Sequence, residues 1–376
     1  SSLGETDGSE FLSDGIAEEI LYALSSLKDL HVAARTSSFS FKETNTAIPE
    51  IAAQLNVNHI LEGSVRKTGN RVRITAQLID VRSDSHLWSD TYDRELDDIF
   101  SIQKEIATNI VSAMTQYLIS GEIIARSIAP PMADTDAYEI YLQGRYLLAL
   151  RGSENLQEAA RLLEQAVEID DSFAAAHAAL GKTYALLPGY LGVPDSRLFI
   201  EKSEAAIEKA LQLDPDQTEA LIARGFNATF SRWEWDEARV AFEHALRVNP
   251  NDAEVHNFYG DYFRIIGDFA NAEKFERRAM ELDLLGDVHA RELAMLMMST
   301  GRFDEALVYA RRALDLRVSA FGFSILISSQ LLLKNFDAAR QSILQLLALP
   351  GVDPAWPALT WARYYHAQQD WDRARP

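Results

Sequence analysis

The residues best suited to bind a metal or move a proton are eight histidines: His31, His59, His86, His177, His244, His256, His289 and His366. No two stand at the spacing of a metal-binding pair, so each reads as a surface or core residue rather than a ligand. Cysteine is absent, which excludes disulfides and thiolate metal sites. There is no Walker phosphate loop, no GxGxxG turn and no GxSxG elbow. Ser37, Ser38 and Ser40 fall in a loop-like stretch with no base nearby in sequence, and turn hydrogen bonding accounts for them. One basic cluster stands out: Arg66, Lys67, Arg71 and Arg73. Phosphate binding is its sharper reading, and a polar strand face paired with acidic groups is the simpler one. No catalytic residue, cofactor site or metal site is assigned, and the chain reads as not an enzyme.

The elements around this sparse chemistry must therefore carry the function. The 376 residues suit two domains, or one domain plus a repeat array. Apolar residues make up 47%, enough for a packed core. The net charge is -20, from 36 basic and 56 acidic side chains. A surface that acidic repels nucleic-acid phosphates and anionic lipid, so neither is expected as a partner. No run of about 18 apolar residues occurs, so no membrane insertion is expected. No signal-peptide pattern is seen. Cytoplasm and periplasm both remain open, with the cytoplasm favoured. The chain opens in a polar stretch, Ser1 to Glu10, and stops at Arg375-Pro376 inside a helical pattern, so both ends look cut.

A phrase recurs along the later two-thirds. Trp235-Asp236-Glu237-Ala238 leads to Phe242 and Ala245, and Phe269-Ala270-Asn271-Ala272 leads to Ala279. Phe303-Asp304-Glu305-Ala306 leads to Ala313, and Phe336-Asp337-Ala338-Ala339 and Trp371-Asp372-Arg373-Ala374 follow. Ala159 and Ser203 head two looser copies. Gly144, Gly181, Gly225 and Gly260 fall where one helix of a pair must approach the other, and Asp214-Pro215 and Asn249-Pro250 close repeats. The pattern resembles the tetratricopeptide repeat, with its period of about 34 residues. Ala294 and Ile327 stand where that family has glycine, and Val318 where it has proline. The resemblance implies an all-α superhelical solenoid from residue 135 to 376, of about six to seven helix pairs with the last cut short. It implies right-handed stacking and a concave wall built from the first helix of each pair. The longer interval between Ala159 and Ser203 predicts an excursion near Leu187 to Pro194.

Residues 11–118 read as a small α/β domain. Asp14 suits the cap of a first helix with Ile16, Ile20, Leu24 and Leu27 inside. Leu30 to Ser37 reads as a strand, and Pro49 opens a second helix. His59 to Lys67 and Arg71 to Arg82 flank Thr68-Gly69-Asn70, a hairpin signal, with a third strand around His86-Leu87-Trp88. A long helix follows, Asp97 to Leu118, with Ile99, Ile102, Ile106 and Ile110 inside. The phrases Ser13-Asp14-Gly15-Ile16-Ala17-Glu18-Glu19-Ile20, Ala34-Arg35-Thr36-Ser37-Ser38-Phe39, Leu61-Glu62-Gly63-Ser64-Val65-Arg66 and Tyr92-Asp93-Arg94 resemble the TolB-like amino-terminal domain. That family begins with a strand that would precede this sequence. The resemblance thus implies residues 1–118 as a TolB-like domain with a partial sheet, its open edge beside Leu30 to Thr36. An intermolecular strand, and hence a homodimer, is one way to cover that edge. Residues 119–134 read as a linker, with Asp134 or Asp136 capping the next helix.

Domains of this kind commonly precede tetratricopeptide repeats in bacterial signalling proteins with nucleotide-cyclase or winged-helix output. The resemblance therefore implies a non-catalytic interaction and sensory segment. Its groove would take a protein or peptide partner, or a segment of the same protein, and would need no cofactor. Arg145, Lys182, Asn257, Arg264 and Arg291 occupy positions that point into the groove in this family, so an acidic partner segment is expected there. A binding module of an envelope assembly, and an enzyme with an unrecognised site, are the alternatives.

Overall fold

The computed structural model describes residues 8–25, 30–42, 44–68, 70–95, 134–191, 196–350, 352 and 355–374, with positions 99, 102, 105, 106 and 109 between them. The chain folds as two compact units, Ser1–Phe258 and Tyr259–Pro376.

The first unit begins with α1 (Gly8–Ser25), α2 (Arg35–Phe39) and α3 (Ile48–Leu55). Three strands follow: β1 (His59–Thr68), β2 (Arg71–Asp80) and β3 (Ser85–Glu95), an antiparallel sheet in the order β1-β2-β3. The hairpin forms where Thr68-Gly69-Asn70 places it, with Thr68 opposite Arg71. Val72, Ile74, Ala76 and Leu78 alternate along β2 and are all buried, because every second side chain of a strand faces the same side. Ile99, Ile102 and Ile106 are helical and buried in the same core. Ile110 and residues 119–133 lie outside the described residues, and so does the expected linker apart from Asp134.

Two expectations for this region are corrected. Leu30 to Ser37 does not form a strand: residues 30–34 belong to no strand or helix, and α2 follows. The Ser-rich end of that segment supplies its own local bonds, Ser38 Oγ to the Ala33 carbonyl and Ser40 Oγ to the Ser37 carbonyl, which compete with strand pairing. The open edge expected beside it therefore has no strand to border. Asp14 is not a helix cap either. The helix starts at Gly8, and Asp14 lies inside it, paired with Lys42 at 2.8 Å. The basic hairpin follows the simpler reading, with Arg71 and Arg73 on the two oxygens of Asp93 and Lys67 on Glu139.

From Asp134 onward the described residues contain helices and no strand. The pairs are α4 (Thr135–Leu150) with α5 (Ser153–Ile169), α6 (Ala174–Leu191) with α7 (Arg197–Leu213), and α8 (Thr218–Asn227) with α9 (Trp235–Val248). They continue with α10 (Ala253–Ile265) and α11 (Phe269–Leu282), α12 (Asp287–Ser299) and α13 (Phe303–Leu316), and α14 (Ala320–Leu332) and α15 (Phe336–Leu347). The last pair is α16 (Ala355–Ala367) with the short α17 (Trp371–Ala374). Asp134 caps α4 by accepting from the Asp136 and Ala137 amides. Ala159, Ala238, Ala272, Ala306 and Ala339 are all fully buried, so the recurring alanines are the contact points of the pairs.

The excursion appears as a longer helix. α6 runs 18 residues and takes Pro188 into its final turns, while α10, α12 and α14 each run 13. A second irregularity has a trace in the residue spacing. Gly225 precedes Ala238 by one residue more than Gly260 precedes Ala272. The extra residue is absorbed by a π-turn, Ala228–Arg232, closed by Trp233 in the left-handed region at φ 58°. A single inserted residue in a helix commonly takes this form.

Candidate functional site

The first-helix face of the first unit is covered by α1. Ile16, Ile20 and Leu24 recur every four residues and so share one helical face, and all three are buried. Gly15 lets α1 lie against α4, since a Cβ there would collide with the Leu142 side chain. Glu18 is the electrostatic anchor. One of its oxygens pairs with Arg145 of α4, and the other accepts from Arg35 Nε at 2.9 Å. Tyr22 and Thr218 share a hydroxyl hydrogen bond of 2.9 Å, and Asn249 donates to Ser25 Oγ at 3.0 Å. Just beyond α1, Asn251 donates to the Leu30 carbonyl at 3.1 Å. These contacts reach α4, α8 and the loop before α10 in turn.

Beneath α1 the charges alternate. Arg145 Nη1 also donates to Glu219 at 2.8 Å, and Lys182 bridges Glu219, at 3.0 Å, to Glu254. Arg151 closes the chain on Glu254 at 2.8 Å. Burial alone would raise the Glu219 and Glu254 carboxyls. Arg145 and Lys182 overcome this at Glu219, and Lys182 with Arg151 holds Glu254 down at about 2. Asp252 has no ion pair among the described residues, and the nearby Lys182 charge lowers it only in part. Burial and the Glu254 charge push it up to about 6.

The corresponding face of the second unit differs. There α10, α12, α14 and α16 line an open cavity of about 400 Å³. Met295, Met298, Phe321, Ile325 and Leu359 give it an apolar wall, and Arg264 and Arg363 add charge. Arg264 pairs with Asp261 and lies 3.7 Å from Glu292. Arg291 stacks over the Phe321 ring at 4.5 Å and reaches Glu292 and Asp287 at 3.6 Å. Burial and the Asp261 charge push Glu292 up to about 7.

Of the five residues expected in a groove, Arg145 and Lys182 meet at Glu219, and Arg264 and Arg291 meet at Glu292. Asn257 is buried within α10, at 3% exposure. The cations were legible from their place on the first helices. Their acidic partners were not, because Glu18, Glu219 and Glu254 lie 127, 37 and 72 residues away in sequence from the cations they meet. Glu276 was also missed, although a signal existed. The fourth residue after each recurring Ala or Ser is otherwise Leu163, Ile207, Phe242, Ala310 or Ile343, all apolar.

Comparison with known proteins agrees with the helix pairs. Residues 289–324, covering most of α12, all of α13 and the start of α14, match the family model of the tetratricopeptide repeat. A Rhizobium meliloti (strain 1021) protein named "Putative adenylate cyclase 3" is 40% identical over 170 residues, 45% of this chain and 29% of that protein. The transcriptional regulator HilA of Salmonella typhimurium (strain LT2) is 26% identical over 148 residues, 39% of this chain and 26% of the regulator. The chain thus spans less than a third of the length of these relatives. Among solved structures, the human IFIT1 dimer with m7Gppp-AAAA superposes with a TM-score of 0.57 at 15% identity, over 74% of this chain and 66% of that one. That likeness is one of fold. Proteins built from tetratricopeptide repeats typically bind other proteins and are typically non-catalytic.

Proposed function

We propose that this chain is a non-catalytic interaction and sensory segment of a bacterial signalling protein, in which the first-helix face holds an amphipathic, acid-bearing segment. The observation that supports it is α1 itself. A helix of the same chain lies on that face with an apolar stripe buried and Glu18 paired to Arg145. This is the chemistry expected of a partner segment, supplied here in cis. Residues 1–118 are read as a TolB-like domain, 119–134 as a linker and 135–376 as the repeat array. The 40% identity to the Rhizobium protein supports a nucleotide-cyclase output in a longer protein.

A labelled synthetic peptide of residues 8–25 tests the reading against the full chain. Glu18→Arg removes the anchor of α1 and sets a new cation against Arg145 and Arg35. Fluorescence polarisation should show this variant capturing the wild-type peptide at least ~10 times more tightly than the wild-type chain does, the factor that about 1.4 kcal/mol supplies. Equal capture by both chains, or none by either, would sink the proposal.

A further inference from the structure

The glycines of successive pairs each sit under one side chain of the second helix. A Cβ on Gly144 would lie 2.8 Å from Leu163, one on Gly181 2.8 Å from Ile207, and one on Gly225 2.6 Å from Phe242. At Gly260 the side chain in that place is Glu276, whose carboxyl would lie 2.7 Å from such a Cβ. Glu276 is 0% exposed, and neither carboxyl oxygen has a hydrogen-bond partner among the described residues. A carboxyl so placed is far costlier as an anion than as a neutral acid.

We propose that the α10–α11 pair is a proton-sensitive joint, which packs tightly while Glu276 holds a proton and loosens when Glu276 releases it. The groups facing Glu276 set the direction. From α10 come Asp261 and Arg264, and from α12 comes Glu292, with Arg291 behind it. On α11 itself, Glu273 and Arg277 are tied to each other, and to Arg302 and Tyr309. Two carboxylates and one guanidinium therefore face the buried acid. Arg264 does not neutralise it, because that cation is held by Asp261 and shared with Glu292. Burial first, then the Asp261 and Glu292 charges, raise the Glu276 carboxyl well above the ordinary carboxylate range. Unfolded, Glu276 would ionise in that ordinary range. The folded pair thus binds the extra proton, so its stability is full below that range and is lost as pH rises through the raised value.

The joint bears on binding because Arg264 also lines the open cavity. When Glu276 ionises, it competes with Asp261 and Glu292 for that guanidinium, and the charge on the cavity wall changes. An apolar side chain in place of Glu276, as in the neighbouring pairs, would pack this spot without any pH response.

Hydrogen exchange of the α10 and α11 amides, corrected for intrinsic rates, tests this between pH 5 and pH 8 in the full chain. Near-UV circular dichroism of the Tyr259, Tyr262, Phe263 and Phe275 ring cluster provides a second readout. In the wild type, protection of these amides should fall at least ~10-fold over that range, because the folded pair holds a proton that the unfolded chain has already released. Glu276→Gln keeps the shape without the charge and should flatten the response. Glu276→Leu should flatten it too and raise protection at pH 8. Glu292→Gln removes a second group pushed up to about 7 and one of the charges that raise Glu276, so it should weaken the response without abolishing it. Should the leucine variant fold poorly, the glutamine variant carries the test alone. A wild type indifferent to pH, or a response that survives unchanged in Glu276→Gln, overturns the proposal.

Discussion

The two units present the same kind of face, built from the first helices of their pairs, and solve its electrostatics in opposite ways. In the first unit three acids of this face meet cations, with Asp252 the exception: Glu18 with Arg35 and Arg145, Glu219 with Arg145 and Lys182, and Glu254 with Lys182 and Arg151. The helix α1 completes that network through Glu18. In the second unit Asp261 and Glu292 share Arg264, with Arg291 at the edge, Glu276 has no hydrogen-bond partner among the described residues, and the surface beside them stays open. The lesson concerns buried charge. A closed network fixes a partner, and an incomplete one leaves a group whose ionisation depends on its surroundings.

The comparison can be broken at several points. The largest effect is expected at a position that belongs to packing alone. Phe242 is fully buried over Gly225, and Phe242→Ala should cost about 3–5 kcal/mol in urea unfolding through the cavity it leaves. A loss below about 1 kcal/mol would show that the pairs are held by something other than these contacts. Next comes Arg145→Ala, which leaves Glu18 and Glu219 without their shared cation. The expected cost is about 2–3 kcal/mol, below the figure for a fully buried pair because part of the side chain is exposed. It should come with faster exchange along α1, and an unchanged α1 would mean that Glu18 does not hold it.

In the second unit, Glu276→Leu should instead raise the melting temperature at pH 8 by a few degrees, about 1 kcal/mol or more, with a smaller gain at pH 5. A loss at both pH values would place Glu276 among the closed networks and erase the contrast. Smallest of all is Arg239→Ala, on the outer face of α9, where Asp236 and Glu243 flank an exposed side chain. A shift of the urea midpoint smaller than for any of the variants above is expected. A larger value would mean that surface pairs matter here as much as buried ones.

Much of the array was legible because one requirement repeats. A small residue at each crossing of two helices has to recur with the period of the pair, so Ala238, Ala272, Ala306 and Ala339 mark it directly. The strand expected at Leu30–Ser37 was misread because apolar Leu30 and Val32 suit either an extended stretch or a strand. Their fate is set by Arg35, which turns into α2 and pairs with Glu18. The groove cations were visible one by one, but their arrangement was not. Which acid reaches Arg145 depends on where α1 lies, and no local pattern encodes that. Glu276 needed no three-dimensional knowledge, only a comparison of equivalent positions between repeats.

The π-turn at Ala228–Arg232 has a consequence for how such a chain can change over generations. A one-residue insertion in a tightly packed pair would ordinarily rotate everything downstream by about 100°, the angle between successive residues of a helix at 3.6 per turn. Here the widened turn contains the extra residue locally, and Ala238 and Phe242 still reach their places against Gly225. The pair thus accommodates one residue more than the Gly260-to-Ala272 spacing without losing step. Removing a single residue from this turn should be among the few deletions in the array that leave its neighbours undisturbed.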